Sequence, residues 1–196
     1  GRLAEAGDAL SRALEFDPPA LPWTVTWLKT RLDRENGYLD EAIAGLQTLV
    51  ATQFNEARAR GFDFSRDYRL LNALAETQFE RAKLARSTGD NAGREAFLEQ
   101  ARASYRAALA LDPENVTALW GLAQLAARVG DEEEAARLRA LHARYKPDDN
   151  ARDRAVSLAR RADPAANHAA EDVVIYDLQR PGTFGLPAAA VRTALR

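Results

Sequence analysis

Three features of the 196-residue sequence predict an all-α protein. Alanine occurs 41 times and arginine supplies 24 of the 27 basic residues, and both residue types favour helices. Turn signals that contain glycine or proline recur at regular intervals between apolar segments. An apolar content of 46% is sufficient for a packed core, and no apolar run approaches the roughly 18–20 residues of a membrane-spanning helix. We therefore expect a folded helical chain without a membrane span.

The turn signals recur at a fixed spacing. Pro113 and Pro147 end two similar segments and lie 34 residues apart, with an alanine 12 residues before each of them. A related arrangement precedes Pro18, and another ends at Phe54 in place of the proline. The alanines that align in this way are Ala6, Ala42, Ala101 and Ala135. Such internal periodicity is typical of stacked helical repeats.

This spacing resembles the tetratricopeptide repeat (TPR), a helix–turn–helix unit of about 34 residues. In that family a glycine ends the first helix of each repeat, helix A, in a left-handed cap, and a proline follows the second helix, helix B. The resemblance implies a right-handed α-solenoid, because one repeat cannot bury its apolar face alone. The glycines at the cap position are Gly37, Gly89 and Gly130.

Aligned on these signals, residues 1–163 form the predicted TPR array, and residues 164–196 form an extended tail that packs on it. The array consists of a half repeat, 1–18, three repeats, 23–56, 75–115 and 116–149, and a capping helix, 149–163. Small residues such as Ala82 and Ala123 are expected where A helices cross their neighbours closely. The tail contains a short segment with strand propensity, Val173–Tyr176.

Two of the predicted helices are longer than the repeat requires. Apolar spacing predicts a helix over about 39–60 that ends at a Gly61 cap, followed by a helix over about 65–87. The second helix of the repeat 75–115 is expected to begin early, near Asn91.

Catalytic, cofactor and metal sites are not predicted. The net charge of −2 argues against a nucleic-acid or membrane-surface protein, and the lack of cysteine excludes disulfides and thiolate metal sites. His142 falls where the TPR family has a small packed residue, so we interpret it as structural. His168 stands near Glu171 and Asp172, but three such residues in an extended segment do not fix a coordination geometry.

The TPR resemblance implies a binding surface instead. In that family the A helices line a concave groove through roughly the second, fifth, ninth and twelfth positions of each repeat. The fifth positions here are Trp27, Phe79 and Trp120, the ninth are Arg31, Lys83 and Gln124, and the twelfth or thirteenth are Arg34, Arg86 and Arg128. An aromatic row beside a basic row is expected to bind an extended, acidic protein segment. The alternative is that the aromatics pack between A helices and the arginines only solubilise the array.

One candidate ligand lies in the chain itself, because Glu171–Asp177 is acidic at both ends and apolar between them. The hypothesis is that this segment fills or borders the groove, or else packs on the terminal helix as a lid. The carboxylate clamp of the family's chaperone-tail receptors is not reproduced. Arg31 and Gln124 stand where asparagines would be expected.

The chain contains no methionine and begins at the position of an inter-helix turn. We therefore expect it to be the C-terminal repeat region of a larger protein. Residues 167–178 also resemble the ends of bacterial repeat proteins that are joined to multihaem cytochrome regions. This implies an alternative function as the accessory module of a larger exported enzyme or electron-transfer protein. A third alternative is self-association through the first helix. The compartment stays open between the cytoplasm and, with an upstream export signal, the periplasm.

Overall fold

Helices joined by short turns make up the described part of the chain, residues 3–147 and 149–163, in the computed structural model. The helices are α1 (Leu3–Ala13), α2 (Pro22–Glu35), α3 (Leu39–Ala51), α4 (Asn55–Ala59), α5 (Tyr68–Ser87), α6 (Asn91–Leu111), α7 (Val116–Arg128), α8 (Glu132–Tyr145) and α9 (Asp149–Ala162). Within those residues there is no strand, and the predicted all-α fold class is confirmed. The early start of α6 at Asn91 is confirmed as well.

The chain divides into two compact units, Gly1–Lys146 and Pro147–Arg196. In the second unit the structure describes α9, whose Leu158 is exposed. The division falls before α9, whereas the predicted array includes this helix as its cap, and the capping role stays a prediction. The predicted tail, 164–196, with its strand-prone segment and its histidine, lies outside the described residues.

In the first unit, successive long helices pack on one another. Helix α1 packs on α2, α2 on α3, α3 on α5, α5 on α6, α6 on α7 and α7 on α8. Ala82 and Ala123 are buried, as their predicted positions at close crossings require. Among the residues that the structure describes, the alanines without exposed surface are Ala42, Ala75, Ala85, Ala101, Ala108, Ala118 and Ala135. Because alanine adds little bulk between helices, this composition suits a closely stacked array.

Glycine ends each A helix, as the sequence predicts. Gly37, Gly89 and Gly130 follow α2, α5 and α7 with φ of 80°, 79° and 82°. This left-handed conformation is strained for any residue that has a Cβ atom. The B helices α6 and α8 are then capped at their N-termini by Asp90 and Asp131, whose carboxylates accept backbone N–H groups three residues on at 2.8 and 3.1 Å.

The predicted continuous helix over 39–60 is wrong. Helix α3 ends at Ala51, and Thr52 and Phe54 adopt extended backbone before α4 begins. The extended conformation brings the Phe54 ring to 5.5 Å from Trp23 and 5.6 Å from Phe64, measured between ring centroids. Packing of these three aromatic rings therefore interrupts the helix, since rings at such distances attract one another beyond the area that they bury.

The cap at Gly61 is confirmed by its φ of 73°. The helix predicted from residue 65 starts later than expected. A 3₁₀ turn, Phe64–Arg66, comes first. Helix α5 then begins at Tyr68, and the Asp67 side chain caps it by accepting a hydrogen bond from the Arg69 N–H at 2.9 Å. This turn packs on α3, so the segment between α4 and α5 is held by the array.

Helix α1 lies at the surface of the first unit, since it has no buried residue, and Leu14 just beyond it is exposed. Among the helices of the described residues, none combines the length and the apolar character that crossing a membrane requires.

Gly121 in α7 lies directly against the Tyr105 side chain of α6. A Cβ atom built on Gly121 would lie 2.2 Å from Cζ of Tyr105, far inside van der Waals contact. The same test at Gly7 in α1 finds only Leu32, at an ordinary 3.6 Å. The two glycines therefore differ in the space that surrounds them.

We predict that Gly121→Ala lowers the free energy of unfolding by about 1–3 kcal/mol, because the buried Tyr105 ring must move. Gly7→Ala is the matched control and is expected to be neutral or to stabilise by up to about 1 kcal/mol, because alanine is the better helix former. Urea denaturation of both variants measures the difference. Equal effects of the two substitutions would contradict the close contact.

Candidate functional site

A cavity of about 330 Å³ opens between the A helices α5 and α7, and we call it the α5–α7 cavity. Two helix faces with the same spacing form its walls. The wall from α5 consists of Glu76, Phe79, Glu80 and Lys83, and that from α7 of Thr117, Trp120, Gly121 and Gln124, with Val116 beside them. Positions i, i+3, i+4 and i+7 share one face of a helix, which explains both walls. Arg34 from α2, Tyr105 from α6 and His142 from α8 complete the lining.

Phe79 lies under two cations. Its side chain is only 4% exposed, with Nζ of Lys83 at 4.5 Å and Cζ of Arg128 at 4.9 Å from the ring centroid. Neither cation forms an ion pair with any residue that the structure describes. The ring attracts both through its π-electrons but leaves their charges uncompensated. An anionic group therefore finds two unneutralised cations at this wall.

Arg34 has the opposite arrangement. Its guanidinium forms two hydrogen bonds to Glu80, Nε–Oε2 at 3.0 Å and Nη2–Oε1 at 2.6 Å, and a third from Nη1 to Oε2 of Glu76 at 3.1 Å. The hydrogen bonds to Glu80 are the main cause that raises the pKa of Arg34, so it stays charged. We call this arrangement the Arg34 clamp. It links α2 to α5 and neutralises one cation of the predicted basic row.

Tyr105 forms the floor of the cavity. The residue is 3% exposed, its ring lies against Gly121, and its side chain borders the cavity. Within the described residues its hydroxyl has no hydrogen-bond partner. Burial and the nearby Glu76 carboxylate raise the pKa of this phenol, which remains protonated at neutral pH. Because the side chain borders the cavity, the unpaired hydroxyl is available to a ligand.

Trp120 supplies the exposed aromatic surface. Its side chain is 47% exposed, and its ring centroid lies 5.2 Å from that of His142 at an angle of 41°. His142 is half-buried and packs against this indole. The structural interpretation of His142 fits this contact, although the residue also borders the cavity.

The structure brings five of the nine predicted groove residues together in this cavity. They are Arg34, Phe79, Lys83, Trp120 and Gln124. Arg128 covers Phe79 beside the cavity, while Arg31 and Arg86 are exposed outside its lining. None of Arg31, Arg86 and Arg128 is ion-paired within the described part of the chain.

A continuous aromatic row is not formed, and this expectation is wrong. Trp27 packs in a separate apolar cluster with Trp23 and Phe64, where it borders a second cavity of about 310 Å³. Phe79 is buried under its two cations, so of the three fifth-position aromatics only Trp120 is exposed. The reason is the segment between α4 and α5, which places Phe64 near α2 and adds aromatic surface that the repeat pattern does not contain.

Sequence analysis missed several residues of the site, above all Glu76, Glu80 and Tyr105. Glu76 stands three residues before Phe79 and Glu80 three residues before Lys83, so helical spacing alone places both glutamates on the face of these predicted residues. Tyr105 stands four residues after the aligned Ala101 in helix B, a position that indicates packing but not access to a cavity. A metal site gains no support, because no three carboxylate or imidazole side chains cluster suitably among residues 3–147 and 149–163. The histidine at position 168 lies outside those ranges.

Comparison with known proteins agrees with the helical pairing. A protein-family profile described as TPR repeat matches residues 98–130, which include most of α6, all of α7 and the Gly130 turn. No curated protein matches the chain in sequence. The matched stretch contains Tyr105, Trp120, Gly121 and Gln124 of the cavity.

We predict that Tyr105→Phe leaves the stability at pH 7 within about 1 kcal/mol of the parent chain, because the hydroxyl loses no protein hydrogen bond. Above about pH 10 the parent chain loses stability relative to the variant, by about 1.4 kcal/mol per pH unit. The sign follows from the raised folded-state pKa, since the unfolded phenol releases its proton first. Urea denaturation of both chains between pH 7 and pH 11 measures this difference, and parallel pH profiles would contradict it.

Proposed function

We propose that the helical array, in which residues 98–130 match a TPR repeat, binds an extended, acidic protein segment in the α5–α7 cavity and along the adjoining A helices. TPR repeats are typical of protein–protein interaction modules, and the fold is typically non-catalytic. The proposal accordingly assigns the chain no catalytic role and requires no cofactor.

The observation that carries the proposal is the pair of free cations over Phe79. Lys83 comes from α5 and Arg128 from α7, so both helices contribute one uncompensated charge at the same place. Anionic side chains gain from these charges without breaking an existing ion pair, which favours acidic over basic partners. Arg31 on α2 and Arg86 on α5, which are both exposed, extend this preference.

The remaining groups define what else the segment contains. The protonated Tyr105 hydroxyl donates a hydrogen bond to an acceptor, such as a carboxylate or a backbone carbonyl. The exposed face of Trp120 offers an apolar surface within the same cavity. We therefore propose a ligand in which an acidic residue stands close to an apolar one. A cavity of about 330 Å³ accommodates side chains of an extended strand rather than a folded element.

Glu171–Asp177 has this composition, and its docking on the groove stays a prediction, because the segment lies outside the described residues. It nonetheless provides a natural probe. To prevent competition from within the chain, the assay includes a variant with Glu171→Gln, Asp172→Asn and Asp177→Asn, which we call the neutral-tail chain. The alternative function as an accessory module of a larger exported enzyme or electron-transfer protein also stays a prediction.

We predict that a fluorescent peptide of residues 168–182 binds the neutral-tail chain with a Kd in the micromolar range, about −8 kcal/mol. Trp120→Ala in that background is expected to weaken binding by about tenfold or more, because it removes the exposed aromatic surface. Added salt is expected to weaken binding as well, since partly exposed charges are screened. Fluorescence anisotropy measures all three quantities.

The matched control is Tyr38→Ala, which removes an exposed aromatic side chain that does not line the cavity. Its Kd is expected to stay within about twofold of the neutral-tail value. Binding to the neutral-tail chain but not to the parent chain would indicate that the internal segment competes with the peptide. Absence of binding to both folded chains would contradict the proposed acidic ligand.

A further inference from the structure

Arg34 was predicted to attract an acidic ligand directly, and its position suggests a different role. We propose that the Arg34 clamp determines which sign of charge the α5–α7 cavity selects, by holding the two glutamates away from Lys83. This inference rests on the proposed function and names the residue that gives the site its preference.

The clamp holds the glutamate nearest to Lys83. Glu80 and Lys83 stand three residues apart on α5, a spacing at which opposite charges commonly pair on a helix. No such pair forms here, because both carboxylate oxygens of Glu80 accept hydrogen bonds from Arg34, at 3.0 and 2.6 Å. The planar guanidinium suits this two-point contact, which a lysine at position 34 would not reproduce. Lys83 therefore lies above the Phe79 ring without an anionic partner among the described residues.

The net charge around the cavity depends on Arg34. Arg34, Lys83 and Arg128 supply three positive charges, and Glu76 and Glu80 supply two negative ones. Without Arg34 the remaining charges balance, and two carboxylates that are each 38% exposed face the ligand. Glu80 is then free to pair with Lys83, which lowers the positive potential at the Phe79 wall further.

The exposure of the clamp is what makes it relevant to a ligand. The Arg34 side chain is 31% exposed and borders the cavity, as do both glutamates. Arg81 provides a comparison. It also joins α5 to another helix, through a hydrogen bond from its Nε to Oδ1 of Asp40 in α3 at 2.7 Å, but it does not line the cavity. Only the Arg34 clamp combines an interhelical ion pair with the cavity wall in the described structure.

The test compares two peptides on the neutral-tail chain. One is the 168–182 peptide, and the other carries lysine in place of Glu171, Asp172 and Asp177. Arg34→Gln is expected to reduce the preference for the acidic peptide, expressed as the ratio of the two Kd values, by about tenfold, equivalent to 1.4 kcal/mol. The triple variant with Arg34→Gln, Glu76→Gln and Glu80→Gln is expected to regain the acidic preference, because it removes the released carboxylates.

The ratio separates selectivity from stability. Loss of the link between α2 and α5 alone would weaken the binding of both peptides to the same extent and leave the ratio of their Kd values unchanged. The control, Arg81→Gln, is expected to leave that ratio within about twofold of its value in the neutral-tail chain. An unchanged ratio in Arg34→Gln, or a triple variant that does not recover, would overturn the role of the clamp. If the parent neutral-tail chain binds neither peptide, the proposed function itself fails, and this outcome is distinct from the other two.

Discussion

The contact between the Tyr105 ring and the backbone of Gly121 is the one on which the site depends. A Cβ atom at position 121 would lie 2.2 Å from Cζ of the ring, so no other residue fits there without displacement. The ring of an α6 residue thus lies across α7, and its hydroxyl reaches the cavity floor. Because Gly121 faces this ring, Thr117, Trp120 and Gln124 on the same helical face line the cavity too. Helix packing and the binding surface therefore have one common origin.

Features that depend on local chemistry could be predicted from the sequence. A left-handed residue after a helix strongly favours glycine, which is why Gly37, Gly89 and Gly130 identified the ends of the A helices correctly. The repeat spacing likewise placed Phe79 and Trp120 on the helix faces that line the α5–α7 cavity. Position within a repeat predicts the face of a helix, because that face is fixed by 3.6 residues per turn.

Features that depend on distant partners could not be predicted in this way. Arg34 and Glu80 are separated by 46 residues, and their ion pair follows from the distance between α2 and α5. The break after Ala51 arises similarly, from rings contributed by α2 and by the turn before α5. Repeat periodicity specifies neither the distance between α2 and α5 nor the positions of these rings. It therefore predicted a row of free basic residues, although Arg34 is neutralised by Glu76 and Glu80.

The aromatic residues at the fifth position of the three repeats have different environments, because each of them meets different partners. Trp27 packs in the apolar cluster with Trp23 and Phe64, Phe79 lies under two cations, and Trp120 stays exposed beside His142. One aromatic anchor is consequently available on this face, at the C-terminal end of the array, while Arg31 lies toward the other end. Under the proposed function, a segment bound across the A helices meets apolar surface on α7 and electrostatic attraction from Arg31 on α2.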